Sequence, residues 1–247
     1  MSNKIEGSEQ EMRIWLLDIL ACPICKHYPL DLTLLKWETT DKLFSEVELA
    51  FKNRQNPILE RNCELTLPNG KKDRCIKIIG EEQIQVQDEF CREKKPFKEY
   101  LKVISDKTES AQTIQDATGS SSANILDQVK TRAISGVERA LKQLETTGNR
   151  STNEEKKLLQ ELTPEMHLLN WYFFLTEVDE ALINCKKCHR WYPVIETIPH
   201  MLPDDLRNVD EDIAFLKKWS SKLEDGVLKE GKPFNLKTPR NEKKEKK

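Results

Sequence analysis

The sequence predicts an α+β protein: a four-cysteine, zinc-ribbon-like small β domain built from two distant parts of the chain, with a mainly helical insert domain. Three observations predict it. Cysteine pairs with C-x-x-C spacing stand at Cys22 and Cys25 and again at Cys185 and Cys188. Each pair is followed by Tyr-Pro and then by spaced aliphatics: Leu30, Leu32 and Leu34 after the first, Val194, Ile195 and Ile198 after the second. Much of the chain between them carries apolar residues at helical spacing, as in Leu126, Val129, Ala133, Val137, Leu141 and Leu144.

Length and composition set the limits. A chain of 247 residues can hold one or two domains with sizeable cores. Charged residues make up 33% and the formal net charge is −2, so bulk charge does not describe a polyanion binder. The start, MSNKIEGSEQEM, is polar and unlike a signal peptide. No stretch approaches the roughly 20 apolar residues that a membrane span needs. The expectation is a cytoplasmic protein with reduced thiols, four committed to metal and three (Cys63, Cys75, Cys91) left over.

Taken in order, residues 1–12 read as a flexible lead. Residues 13–37 and 183–207 form the zinc-ribbon domain. Ile14–Leu20 enters the first knuckle as a strand or short helical turn, and Leu30–Trp37 leaves it as a strand. The insert spans 38–182. Within it, Thr40–Arg54 has Leu43, Phe44, Val47, Ala50 and Phe51 on one helical face, ended by Asn56-Pro57. CELTL (63–67) and CIKII (75–79) flank a turn-rich loop with Asn69-Gly70, and IQVQ (84–87) alternates, which predicts a small hairpin or meander. Phe97, Tyr100, Leu101 and Ile104 mark another short helix. The stretch 108–124 keeps Ile114 as its one bulky residue and reads as a linker.

A helix then runs from Leu126 to Leu144, with Gly148 as its stop. Thr152 with Glu155 is a capping-box pattern. Thr163-Pro164-Glu165 looks like a fresh start, with an N-cap, proline at the first position and an acid in the first turn. The helix it opens, MHLLNWYFFLTEVDEAL, is apolar on most sides between Leu168 and Leu175 and must be covered twice. It delivers the chain to the second knuckle. Residues 208–247 comprise an amphipathic helix over 209–224, with Ile213, Leu216, Trp219 and Leu223 on one face, and a tail, KTPRNEKKEKK, with six basic and two acidic residues. Such a tail is ordinarily a solvated segment; contact with RNA through it would be weak or indirect.

The chemistry lies in the cysteines. Four thiolates suit zinc at tetrahedral geometry and leave no open position, so the site reads as structural. About 160 residues separate the pairs, far beyond the roughly 15–20 of a compact ribbon. Closing so long a loop costs on the order of 4–5 kcal/mol, while a structural zinc site contributes roughly 10–16 kcal/mol. Metal wins. A redox dithiol would open a helix within a βαβ pattern, whereas both pairs here lead into extended runs. His27 and His189 are close enough to replace a cysteine, but four thiols already fill the site. Lys26, Lys186, Lys187 and Arg190 would offset the charge of a zinc tetrathiolate. No phosphate loop, GxSxG motif or dinucleotide-binding turn is present, so no catalytic residue is expected.

The segments LLDILACPICKHYPLDL and C-x-x-C-x-x-x-YPVIETIPHMLPDDLR together resemble the small zinc-ribbon proteins that activate methyltransferases. These serve as a shared subunit of enzymes that modify tRNA, ribosomal RNA and release factors; the match covers roughly residues 13–35 and 164–207. The resemblance implies a non-catalytic, zinc-binding partner of S-adenosylmethionine-dependent methyltransferases, forming a heterodimer in which the cofactor binds the enzyme. It further implies that the strand after the second knuckle pairs with an edge of the enzyme's sheet. Carried onto this sequence, that strand is about Thr197–Leu202, with Ile195, Ile198, Met201 and Leu202 as buried contacts. An alternative reading is a zinc-ribbon protein that binds RNA or the ribosome through the basic knuckle rim and tail.

Overall fold

The computed structural model describes residues 11–66, 69–80, 83–119, 121–146 and 151–239. The expected stop at Gly148 and most of the basic tail lie outside these residues, as does nearly all of the expected lead. In chain order the strands are β1 (Asp31–Trp37), β2 (Leu65–Thr66), β3 (Lys72–Asp73), β4 (Lys77–Ile79), β5 (Gln85–Gln87), β6 (Lys95–Pro96), β7 (Ile114–Asp116), β8 (Val178–Asn184), β9 (Trp191–Ile195) and β10 (Ile198–Pro199). The α-helices are α1 (Asp41–Lys52), α2 (Asn56–Asn62), α3 (Phe97–Lys107), α4 (Ser121–Gln128), α5 (Ser135–Thr146), α6 (Thr152–Asn170), α7 (Val209–Lys218) and α8 (Asp225–Glu230). The chain is mixed α+β, and its four knuckle cysteines come together from two distant segments.

The organising element is a five-stranded sheet in the order β10-β9-β8-β1-β7. All its pairings are antiparallel except β1 with β7, where Leu32, Thr33 and Leu34 run parallel to Ile114, Gln115 and Asp116. Successive side chains of a strand point to opposite faces, and the two cores follow that alternation. Leu32, Leu34, Ala181, Ile183, Tyr192 and Val194 face the large core shared with the insert helices. Leu35, Leu182 and Trp191 face the other way, onto Phe215, Leu216, Leu223, Val227 and Leu228 of the C-terminal segment. The expected amphipathic helix is therefore docked on the body.

Local chemistry explains the helices that flank the sheet. Thr40 caps α1 by accepting the Leu43 amide, with Asp41 in its first turn and Lys52 in its last. Phe44, Val47, Ala50 and Phe51 bury its apolar face. A single π-helical stretch, Val129–Ile134, joins α4 to α5 into one interrupted rod. The hairpin expected from CELTL and CIKII becomes two small sheets, β2-β3 and β4-β5-β6.

Five expectations need correction. First, 108–124 is no linker. It holds a short 3-10 helix, β7 and the start of α4, and β7 is stabilised by pairing with β1 and by burial of Ile114. Second, the helix around Trp171 does not reach the second knuckle. It ends in a π turn at Leu175, and β8 follows, buried at every position from Val178 to Ile183. β8 buries Asp179 and Glu180 along with its apolar residues, so its sequence shows neither strand alternation nor a plain apolar run and reads as a continuation of the helix before it. Third, Pro164 lies inside α6, not at its start. Ser151 caps this helix with Glu154, one residue before the expected box, and the Thr163 hydroxyl donates back to the Leu159 carbonyl. Fourth, Met12 is buried, not part of a loose lead. Its amide donates to the Thr197 carbonyl (2.7 Å), and its carbonyl accepts the Val178 amide (2.9 Å). Fifth, Cys63 and Cys75 are joined as a disulfide, so the expectation of three spare reduced thiols fails; Cys91 alone remains a free thiol outside the knuckles. Among the described residues, no helix is long and apolar enough to cross a membrane.

Candidate metal centre and adjoining sheet edge

The two knuckles are built the same way. In the first, the Cys22 amide donates to the His27 carbonyl and the Lys26 amide to the Cys22 carbonyl. In the second, the Cys185 amide donates to Arg190 and the His189 amide to Cys185. The residue after the second cysteine sits in the left-handed region in each case, Lys26 at φ 58° and His189 at φ 59°. That turn points both sulfurs of a knuckle to one side. Neither His27 nor His189 is among the clustered ligand atoms.

Cys22, Cys25, Cys185 and Cys188 bring their sulfurs within 4.8 Å of one another. Two contacts cross between knuckles, Cys22 to Cys188 at 3.6 Å and Cys25 to Cys185 at 3.5 Å. A tetrahedral ion with metal–sulfur bonds of about 2.3 Å has sulfur–sulfur edges of about 3.8 Å. The donor set therefore fits zinc in dimension as well as chemistry. Electrostatics agrees. Burial raises the Cys22 thiol, but the Cys25 amide and the Tyr192 hydroxyl outweigh it and bring it down to about 6. Burial pushes Cys185 up to about 12. A bound dication would favour the thiolate form of both.

One residue was missed at the sequence level. The Tyr192 hydroxyl lies 3.3 Å from the Cys22 sulfur, and its ring is fully buried. Burial and the neighbouring Cys22 sulfur raise its pKa, so it remains a proton donor to a thiolate. The Tyr-Pro shared by the two knuckle segments marks its position but not its contact with the Cys22 sulfur. The basic rim is less free than the sequence suggests. Lys26 donates to the Pro23 carbonyl, Lys186 pairs with Asp31 at 2.9 Å, and Arg190 with Asp204 at 2.8 Å.

The edge beside the second knuckle is the β9–β10 hairpin. Its two turn residues, Glu196 and Thr197, have φ values of 48° and 66°. Left-handed φ at both positions is the requirement of a two-residue type I′ turn, usually met by Asn-Gly. Met12 and Asp179 hold Thr197 there through its carbonyl and amide. The four residues expected at a partner surface divide. Ile198 and Leu202 are exposed, at 54% and 41%. Ile195 packs partly against the C-terminal core and Met201 partly against the main core. Leu206, beyond them, is exposed at 64% and was not foreseen as a contact.

Fold and cluster define a class of protein: two matched cysteine knuckles closing a structural four-thiol centre at the base of a sheet, with a large helical insert between them. Within that class the chain belongs to the Trm112p-like protein family, whose profile matches residues 15–196. The match includes both knuckles and the insert and stops at the hairpin turn, before α7 and α8. No curated protein and no solved structure matches the chain.

Proposed function

We propose that this protein is a non-catalytic zinc-binding subunit that binds, stabilises and activates S-adenosylmethionine-dependent methyltransferases acting on tRNA, ribosomal RNA or translation factors. The observation that carries the reading is the four-sulfur cluster at the family's two knuckles, beside a short sheet edge with exposed apolar side chains. Zinc held by Cys22, Cys25, Cys185 and Cys188 would supply structure: it ties the start of β1 to the start of β9 and so sets the position of that edge. The thiolates must stay reduced to hold it, which suits a cytoplasmic setting, although the Cys63–Cys75 disulfide is a bond that such a setting tends to open.

The mode of action follows from the edge. β10 is two residues long and includes Pro199, which cannot donate, so it suits the margin of a sheet rather than its middle. An enzyme strand added there gains backbone hydrogen bonds, and Ile198 and Leu202 supply the apolar cover. Ile195 and Met201 support these from within. Binding only the folded enzyme stabilises it by mass action. The cofactor and the chemistry belong to the enzyme. Direct RNA recognition is disfavoured because Lys26 and Lys186 are already engaged.

The test is co-expression with methyltransferases of the same genome. Ile198→Asp puts a carboxylate into the contact, and burying an unpaired charge costs several kcal/mol; roughly 3 kcal/mol is more than a hundredfold in affinity. Complex recovery is expected to collapse while zinc content stays at that of the parent. Normal recovery would remove the strand from the interface. Met201→Lys, by contrast, is expected to disturb the isolated chain, since Met201 packs against its own core.

A further inference from the structure

The segment after the family match is bound to the sheet in two ways at once. On the second face, Phe215, Leu216 and Leu228 cover Leu35, Leu182 and Trp191. On the edge, Lys232 joins β9 where β10 gives out: the Trp191 amide donates to the Lys232 carbonyl (3.1 Å) and the Lys232 amide to the His189 carbonyl (2.8 Å). β10 pairs with Val194 and Ile195, and the His200 amide reaches Pro193. The outer edge of β9 is thus divided, with β10 at the hairpin end and the C-terminal segment at the knuckle end.

We propose that residues 209–236 are a releasable strap, an intramolecular occupant of a second docking surface for the methyltransferase partner's strand. This rests on the proposed function. The surface consists of the knuckle end of β9 and the apolar face carrying Trp191. Two features argue for a strap and not a fixed layer. The family profile ends at residue 196, ahead of β10 and well ahead of this segment, so the cover is no part of the matched region. The edge contact depends on a two-way hydrogen-bonded bridge at one residue and on a close approach at Gly231, where an added Cβ would meet first the Val227 carbonyl oxygen of the segment itself and then Trp191 Cδ1 within 2.9 Å. Other contacts set how hard it is to lift: Trp191 Nε1 donates to the Phe234 carbonyl (2.9 Å), and Lys218 and Trp219 both bind Glu180 of β8. The closed strap lowers the partner's apparent affinity by the fraction of molecules in which it is open.

Two measurements on the full chain test this. The first needs no partner. Native-state hydrogen exchange is expected to release the Trp191 and Lys232 amides at least about tenfold faster than Leu182 and Cys185, because a strap opens on its own while the sheet and knuckle stay shut. Equal protection at all four would make the segment part of the cooperative core and overturn the proposal. The second uses the methyltransferase that the parent chain retains on co-expression. Gly231→Val, which crowds both the Val227 carbonyl and Trp191 and so unseats the segment from β9, is expected to bind it about tenfold more tightly with unchanged zinc content. Unchanged or weaker binding overturns the strap, and a gain cannot arise from misfolding. If the parent retains no methyltransferase, the proposed function fails, and the exchange experiment still decides whether the segment opens separately.

Discussion

Tyr192 does two things with one side chain: its ring fills the core under β9, and its hydroxyl reaches the Cys22 sulfur. A hydrogen bond from outside a metal's own ligands orients the thiolate and moderates its charge, and losing such a partner typically costs 10–100-fold in metal affinity. Tyr192→Phe keeps the ring and removes the donor. Zinc affinity, measured by competition with a chelator, is expected to fall by at least about tenfold while the fold and stoichiometry persist; unchanged affinity would make the contact incidental. The cysteines themselves were readable from the sequence because ligand spacing is local chemistry. Tyr192 was not, because its role depends on where the first knuckle lands, about 170 residues upstream.

At the level of the element, the disulfide between Cys63 and Cys75 closes a loop of 12 residues that contains the β2–β3 hairpin. Loop closure of that size contributes about 3 kcal/mol in the chain-entropy account. Reduction by a phosphine that does not chelate metal is therefore expected to lower the thermal midpoint and leave zinc in place. Loss of zinc on reduction would couple the two cysteine systems. Sequence reading treated these cysteines as spare because pairing cannot be deduced from position alone. The same limit applied to β7 and β8. Ile114–Asp116 has too few apolar residues to look like a strand, and it becomes one only through its parallel partner β1. Val178–Asn184 looked helical because Asp179 and Glu180 break the strand alternation, and their burial depends on distant partners, Lys36 for one and Lys218 with Trp219 for the other. By contrast, α1 and α7 were legible, since each carries its cap and its buried face within its own length.

At the scale of the whole molecule, acid should loosen the insert. Burial lowers His167 on α6 to about 4, with Glu60 opposing only weakly. A histidine whose folded pKa is depressed binds fewer protons folded than unfolded. Its contribution is therefore present above about pH 6.5 and is lost as the pH falls toward 4, by about 3 kcal/mol in all. Asp18 acts the other way: burial raises it to about 6, so its contribution is present at low pH and lost as the pH rises through 6. Between pH 7 and pH 5 the two oppose each other, so urea midpoints at those pH values are compared between the parent and a variant. His167→Gln is expected to lose less stability than the parent on acidification, and an equal loss would clear His167 of the effect. A different consequence follows from the far side of the sheet. β7 is three residues long, and the Lys130 ammonium takes the Ile114 carbonyl at 2.7 Å. Short length and a lysine are what keep a margin from templating another chain. A strand added at the β10 margin would therefore have no counterpart at β7, and growth of the sheet by that route would be one-directional.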